Sequence, residues 1–147
     1  MPEDSWKHIR PVAVGVPTRA NGDDVLVAEH ETPDGETFYR PVGGGVDFNE
    51  RSDDAVIREF REELDAAFAP EARLAVLENR FEWDGEARHE LVFVYAGHLV
   101  DDELRERDNL TAHEPETGEE FPVVWKPLED FYEGDTLYPD DLLPVLD

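Results

Sequence analysis

GGGVDFNERSDDAVIREFREELDA, residues 43–66, is the stretch on which the reading of this chain turns. From Asp53 to Leu64 the apolar residues Val56, Phe60 and Leu64 recur every fourth position, flanked by Ala55 and Ile57, which is the stripe of an amphipathic helix. Ser52 is the expected N-cap, because its hydroxyl can accept a hydrogen bond from an orphan amide. Asp53 and Asp54 stand where the helix dipole favours negative charge. At about 100° per residue, Glu59, Glu62 and Glu63 fall in one sector and the apolar stripe in another, so one face packs while the other can bind. Carboxylates at i, i+3 and i+4 repel one another unless a cation lies between them. Oxygen ligands of this kind suit Mg²⁺ or Mn²⁺, and Mg²⁺ keeps waters that bridge to substrate phosphates. Ahead of the helix, Gly43, Gly44 and Gly45 read as a turn where backbone can come close to a phosphate or a metal. For the glutamates alone the competing reading is a solvated helix face, since acidic clusters arise readily in so acidic a chain.

Upstream, 11–17 (PVAVGVP) and 25–30 (VLVAEH) are β-rich runs separated by a segment containing Asn21-Gly22, a hairpin signal. Pro33-Asp34-Gly35 marks a turn, and 36–42 (ETFYRPV) reads as one strand ending at the glycines. Downstream, Asp65 and Pro70 bracket the helix exit. Residues 74–83 (LAVLENRFEW) and 89–100 (HELVFVYAGHLV) read as two strands joined around Asp84-Gly85. The polar stretch 101–119 is expected to be a long loop and a site lid. A last strand at 120–126 precedes a short closing helix within PDDLLPVLD, despite Pro144. This order predicts an α+β fold or a layered α/β/α sandwich, as a single domain over residues 1–147.

Composition limits the function classes. Against 38 Asp+Glu there are 13 Lys+Arg, a formal net charge of -25, and no basic patch interrupts it. A nucleic acid polymer is therefore excluded as a partner, because such binding is driven by cations that release counterions. Lysine occurs only at Lys7 and Lys126. Acid-rich and lysine-poor composition looks like that of a salt-accumulating halophile, whose surface is tolerable once molar salt shortens the Debye length. Aromatic content of 10% argues for a packed core over disorder. The absence of cysteine removes disulfides, thiol nucleophiles and cysteine zinc sites. No run approaches the roughly 18 to 20 apolar residues of a membrane span, and MPEDSWKHIR lacks the order of a signal peptide. A cytoplasmic protein with no membrane partner is expected.

The spacing of Gly44, Glu50, Arg58, Glu59, Phe60, Glu62, Glu63 and Ala66 resembles the Nudix box: G, five residues, E, seven residues, then R-E-hydrophobic-x-E-E-x-G-hydrophobic. Asp65 departs from the usual Gly, and Asn49 stands where Gly is frequent. Both residue types tolerate left-handed backbone, so a slightly strained cap is expected and no ligand is lost. Beyond 44–66 the likeness is one of element order, together with Trp125-Lys126-Pro127-Leu128.

The resemblance implies a Nudix-like α/β/α sandwich with a mixed sheet and a central metal-binding helix. It implies hydrolysis of a diphosphate linkage in a nucleoside diphosphate derivative: a nucleoside triphosphate, a damaged nucleotide, ADP-ribose or another nucleotide sugar. Glu59, Glu62 and Glu63 would bind Mg²⁺ or Mn²⁺ with a backbone carbonyl near Gly43 or Gly44, and Arg58 would hold a glutamate in place. Those four side chains form the implied catalytic set. Glu50 would support the loop or a second metal. The general base is a box glutamate in some relatives and a late-loop glutamate in others, here Glu114, Glu116, Glu119 or Glu120.

From the residues themselves, Arg40 could join the glycines in binding phosphate. Phe38, Tyr39, Phe81, Trp83 and Tyr132 could stack on a base, although alternation assigns about half of them to the core. His89 and His98 read as structural or surface residues. Two alternatives stand beside the hydrolase: a Nudix-fold sensor that binds nucleotide without cleaving it, and an isoprenoid diphosphate isomerase, which normally employs a cysteine. Exposed strand edges and the family habit leave a homodimer open.

Overall fold

The computed structural model describes residues 8–19 and 23–146. Val12 to Val16 carries no polar side chain, a pattern that suits a strand covered on both faces. It lies in β1 (Ile9–Arg19), near the middle of the sheet. β2 (Asp24–Glu31), β3 (Thr37–Arg40), β4 (Val42–Gly45), helix α1 (Ser52–Leu64), β5 (Phe68–Trp83) and β6 (Glu86–Leu99) follow. Then come α2 (Asp102–Glu106), β7 (Asn109–His113), β8 (Glu120–Pro127), α3 (Leu128–Tyr132) and α4 (Leu143–Leu146). The sheet runs β5-β6-β1-β2-β8-β7, with β3 beside β2 and β4 beside β1. β1 and β6 are parallel and the other pairs antiparallel, so the sheet is mixed.

Strand alternation sorts the core into two layers. Val12, Val14, Val16, Val25, Val27, Val92 and Val94 pack with Phe131, Leu137 and Leu142 of the C-terminal segment. Ala13, Leu26, Ala28, Tyr95 and Val123 pack under Val56 and Phe60 of α1. The result is the α/β/α arrangement expected, with short helices in its second outer layer. No helix among the described residues is long and apolar enough to cross a membrane.

One feature creates the site. Among the described residues β1 meets β2 through Thr18–Val25 and Arg19–Asp24 alone, then diverges from it. Lower down, Val12–Gly15 pair with β4, whereas Ala28–Glu31 of β2 pair with β3. The chain changes partner at Pro41, which has no N–H to offer a ladder. The single strand expected over 36–42 is therefore two, and the glycines expected in a turn are extended backbone in β4. The physical reason is close approach: a Cβ at position 43 would collide with the Ala13 carbonyl.

Other expectations change as well. The Asn21-Gly22 turn lies outside the described residues. β5 starts at Phe68, so Pro70 sits inside an edge strand, beside a register shift, where a missing N–H does little harm. The stretch expected as a lid carries α2 and β7. Leu110 and Ala112 of β7 are buried beneath α1, and two apolar residues in alternation are too short a signal to stand out among polar neighbours. Apart from the short link at 107–108, the turn between Glu114 and Glu119 is what remains a loop, closed by Glu114 N–H to the Glu119 carbonyl at 2.8 Å. Neither α3 nor α2 is foreseen in the sequence reading, while α4 falls inside the expected closing segment.

Candidate active site

Helix α1 is seated by its apolar face. Phe60 stacks on Phe68 with centroids 4.5 Å apart, over Gly15, where an added Cβ would come within 2.7 Å of the Phe60 ring. Ser52 begins the helix instead of capping it; its hydroxyl meets the Tyr95 hydroxyl at 2.5 Å, while Arg51 takes the cap position without a side-chain bond. At the other end Asp65 adopts the left-handed conformation expected of it, with φ 52° and its N–H on the Arg61 carbonyl. Asn49 does the same in the preceding loop, with φ 68°.

Arg58 organises the opposite face. Its Nε and Nη2 donate to the two oxygens of Glu50 at 2.9 and 3.0 Å. Its Nη1 reaches Glu59 at 2.9 Å and Glu62 at 3.0 Å, and Nη2 also donates to the Gly45 carbonyl at 2.9 Å. The bond to Glu50 above all, then those to Glu62 and Glu59, raises the Arg58 pKa despite partial burial, and Arg58 in turn holds Glu50 below the usual carboxylate range. Glu50 accepts the Asp47 N–H as well, at 2.9 Å, which fits the loop-supporting half of its expected role. Arg58 is thus committed to protein partners.

Glu63 is only 6% exposed. Burial first, then its hydrogen bond with Glu59 and the charges of Glu59 and Glu114, push its pKa up to about 9. Gly44 is the floor beneath this pair: an added Cβ would stand 2.7 Å from the Glu59 carboxyl carbon. Among the described residues no three acid or imidazole side chains are gathered round one point. Glu59 and Glu62 lean on Arg58, and Glu63 hydrogen-bonds to Glu59. A buried carboxyl that must carry a proton when no cation is near, beside two more carboxylates and a glycine floor, is a donor set that fits a hard divalent ion.

A pH dependence follows. Because the folded pKa of Glu63 is raised, its contribution to stability in metal-free protein is complete below about pH 4.5 and is lost as pH rises through about 9. Metal-free protein is expected to melt at a lower temperature at pH 9 than at pH 6. Glu63→Gln should flatten that slope, and scanning calorimetry in chelator decides it; an equal slope in the variant would assign the effect elsewhere.

These groups line a cleft of about 370 Å³ along the free edge of β4, with Arg40, Gly43, Gly44, Gly45, Asp47 and Arg58 among its walls. Glu114 and Glu116 reach it from the turn after β7, whereas Glu119 and Glu120 do not. The Arg40 side chain makes no hydrogen bond or ion pair with any described residue, and its charge acts on Glu63 and His30. The five aromatic residues proposed as stackers do not line the cleft. Phe38 is buried against Trp83 and Tyr138, Tyr39 lies under Lys126, Phe81 borders a different hollow and Tyr132 is exposed.

Among the cleft residues that the sequence did not single out are Arg10, His30, Asp47 and Phe121. His30 packs on Phe121 at 5.0 Å, and burial, then the neighbouring Arg40, lower its pKa to about 4, so the imidazole is neutral. Its only sequence signal is parity with Ala28 on β2, which points to this face once the register with Arg40 is known. His98 pairs with Glu71 at 3.3 Å, away from the cleft. A second hollow of about 520 Å³, between β5 and residues 139–141, shares no wall with the first and carries Glu78, Glu82, Asp140 and Asp141, which would repel a diphosphate.

Comparison with known proteins follows the same line. The family model described as NUDIX domain matches residues 9–145. No curated protein matches the chain. Among solved structures, the E. coli ORF135 protein is similar at 24% identity and TM-score 0.61, over 94% of this chain and 86% of that one. A NUDIX hydrolase from Nitrosomonas europaea aligns at 20% identity and TM-score 0.65, over 95% and 86%. An ADP-ribose pyrophosphatase from Streptococcus suis aligns at 15% identity and TM-score 0.61, over 95% and 90%. At these identities the likeness carries the fold.

Proposed function

The chain belongs to the NUDIX domain family, and from that premise we propose that it is a metal-dependent hydrolase that cleaves a diphosphate linkage in a nucleoside diphosphate derivative. The observation that carries the proposal is the buried Glu63, its pKa raised, beside Glu59 and Glu62 in a cleft that Arg40 also lines. Glu59, Glu62 and Glu63, with a backbone carbonyl near Gly44, would hold Mg²⁺ or Mn²⁺. Such an ion, when bound, neutralises diphosphate oxygens and lowers the pKa of a water.

The chain's own groups do the rest. Arg58 fixes the rotamers of Glu59 and Glu62, and Glu50 fixes Arg58. Gly43 lets β4 press on the Ala13 carbonyl, Gly44 and Gly45 let Glu59 and Arg10 lie against its two faces, and the diphosphate would lie along the strand's free edge, where Arg40 offers it a planar fork of donors. Hydrolysis joins the water oxygen to one phosphorus, breaks that phosphorus's bond to the bridging oxygen and releases a proton. Of the late-turn acids, Glu114 and Glu116 line the cleft and remain eligible to accept that proton alongside the box glutamates. His30 and Phe121 supply a neutral wall for the part of the substrate beyond the phosphates.

The test is hydrolysis of a panel of nucleoside triphosphates, ADP-ribose and nucleotide sugars with Mg²⁺ or Mn²⁺ in molar KCl. Metal-dependent turnover supports the hydrolase and names its substrate class. Saturable binding without turnover across the panel moves the reading to the sensor. A cytoplasmic place of work goes with this function, because nucleoside diphosphate derivatives are intracellular metabolites.

We also infer a salt-adapted surface from the net charge of -25. Self-repulsion of that size is unscreened in dilute buffer. The melting temperature is expected to rise steadily between about a tenth molar and molar KCl; an unchanged value overturns the inference.

A further inference from the structure

Arg10 lies on β1, outside residues 43–66 and far from them in sequence, yet it lines the same cleft as the α1 glutamates. Its position is set by β4. Paired residues on neighbouring strands share a face of the sheet, and successive residues alternate. Gly44 opposes Ala13 and turns its empty face to Glu59; Gly45 opposes Val12 and turns its empty face the other way, to Arg10. An added Cβ at Gly45 would stand 2.9 Å from Arg10 Nη2 and 3.3 Å from Nε, so the guanidinium lies along the glycine backbone. β4 therefore carries the carboxylates against one face and a guanidinium against the other, with its free edge between them.

Arg10 is held there. β1 and β6 are parallel, and their register sets Arg10 beside Glu90, with Nη1 3.8 Å from Oε2. Glu90 is only 8% exposed and its side chain makes no hydrogen bond to any described residue, so Arg10 is the partner that justifies burying its charge. The side chain of Arg10 itself is 61% exposed, and a separation of 3.8 Å leaves most of its donors free. A guanidinium steered by a buried carboxylate, open to a cleft and laid on a glycine backbone, is arranged to receive an anion.

We propose that Arg10, positioned by Glu90, is a second phosphate-binding residue that takes the phosphate of the substrate farther from the α1 carboxylates, while Arg40 serves the nearer one. The inference rests on the hydrolase reading and adds a direction to it: the diphosphate crosses the free edge of β4, one phosphate on each side. Glu90 acts only through Arg10 and is a positioning residue.

Calorimetric titration of a non-hydrolysable methylene-bridged nucleoside diphosphate and of the matching monophosphate, with Mg²⁺ present, tests this. Arg10→Gln should weaken the diphosphate analogue by about tenfold or more, the loss of one charge-assisted hydrogen bond or two, and change the monophosphate by far less. Arg10→Lys should recover part of the loss. Glu90→Gln should weaken the diphosphate in the wild-type background and add nothing in Arg10→Gln, a non-additivity that a merely structural Glu90 would not produce. Equal diphosphate affinity in wild type and Arg10→Gln overturns the proposal and leaves the hydrolase reading intact. A wild type that binds no diphosphate overturns both.

Discussion

Glu63→Gln is expected to lower kcat by at least about a hundredfold with Mg²⁺ or Mn²⁺, and to do so without unfolding the protein. The two halves of that expectation have one cause. In metal-free protein the Glu63 carboxyl is buried, bonded to Glu59 and protonated near neutral pH. An amide of the same shape replaces a neutral acid there, so packing and the bond to Glu59 survive. What the amide cannot do is give up a proton to become a negatively charged ligand. The stabilisation that added divalent ion confers on the wild type, which grows with the logarithm of its concentration above Kd, should therefore shrink in the variant. Melting temperature with and without Mg²⁺, beside steady-state kinetics, separates loss of metal from loss of fold. Turnover near wild-type level in Glu63→Gln would remove Glu63 from the metal-binding set.

Arg58→Gln is expected to damage both stability and activity. The wild-type guanidinium makes five hydrogen bonds, to Glu50 twice, to Glu59, to Glu62 and to the Gly45 carbonyl. Removing it leaves Glu50 and Glu59, with side chains 18% and 13% exposed, crowded and without their counter-charge. Breaking a fully buried pair costs about 3–5 kcal/mol; Arg58 is 29% exposed, and solvent screening reduces the expected loss to about 2 kcal/mol. Loss of the hydrogen bonds that orient a ligand set lowers activity by about 10- to 100-fold. Arg58→Lys separates the contributions, since an ammonium restores charge but cannot span Glu50, Glu59 and Gly45 together. Stability should return in part and activity much less. Denaturant midpoints that do not move in Arg58→Gln would show that the network contributes nothing to folding.

Much of this was legible along the chain because it is local. A helix repeats every few residues, so the seating of Phe60 and the clustering of Glu59, Glu62 and Glu63 on another face could be read from spacing alone. Asp65 could be assigned to a left-handed exit because its chemistry allows one. Ser52 misled for an equally physical reason: the preference for a hydroxyl at a helix start is worth about 1 kcal/mol, and a bond to Tyr95 from another strand competes successfully with it. The segment from 101 to 119 misled because its polarity outweighed two buried residues, Leu110 and Ala112, whose partners are distant in sequence.

By itself the sequence determined the carboxylate face of α1, the existence of most strands and the acidic surface. Only the tertiary structure decided that residues 36–45 divide at Pro41 between two partners, that Glu114 and Glu116 face the cleft while Glu119 and Glu120 do not, and that Arg10 and His30 belong to it. The difference is one of range. Periodicity and capping are properties of neighbours in the chain, whereas the register of β4 on β1, and of β1 on β6, is fixed by which side chains pack across the whole sheet. A slip of one residue between β1 and β6 would turn Glu90 away from Arg10, and one between β4 and β1 would take Gly45 off the face that Arg10 shares.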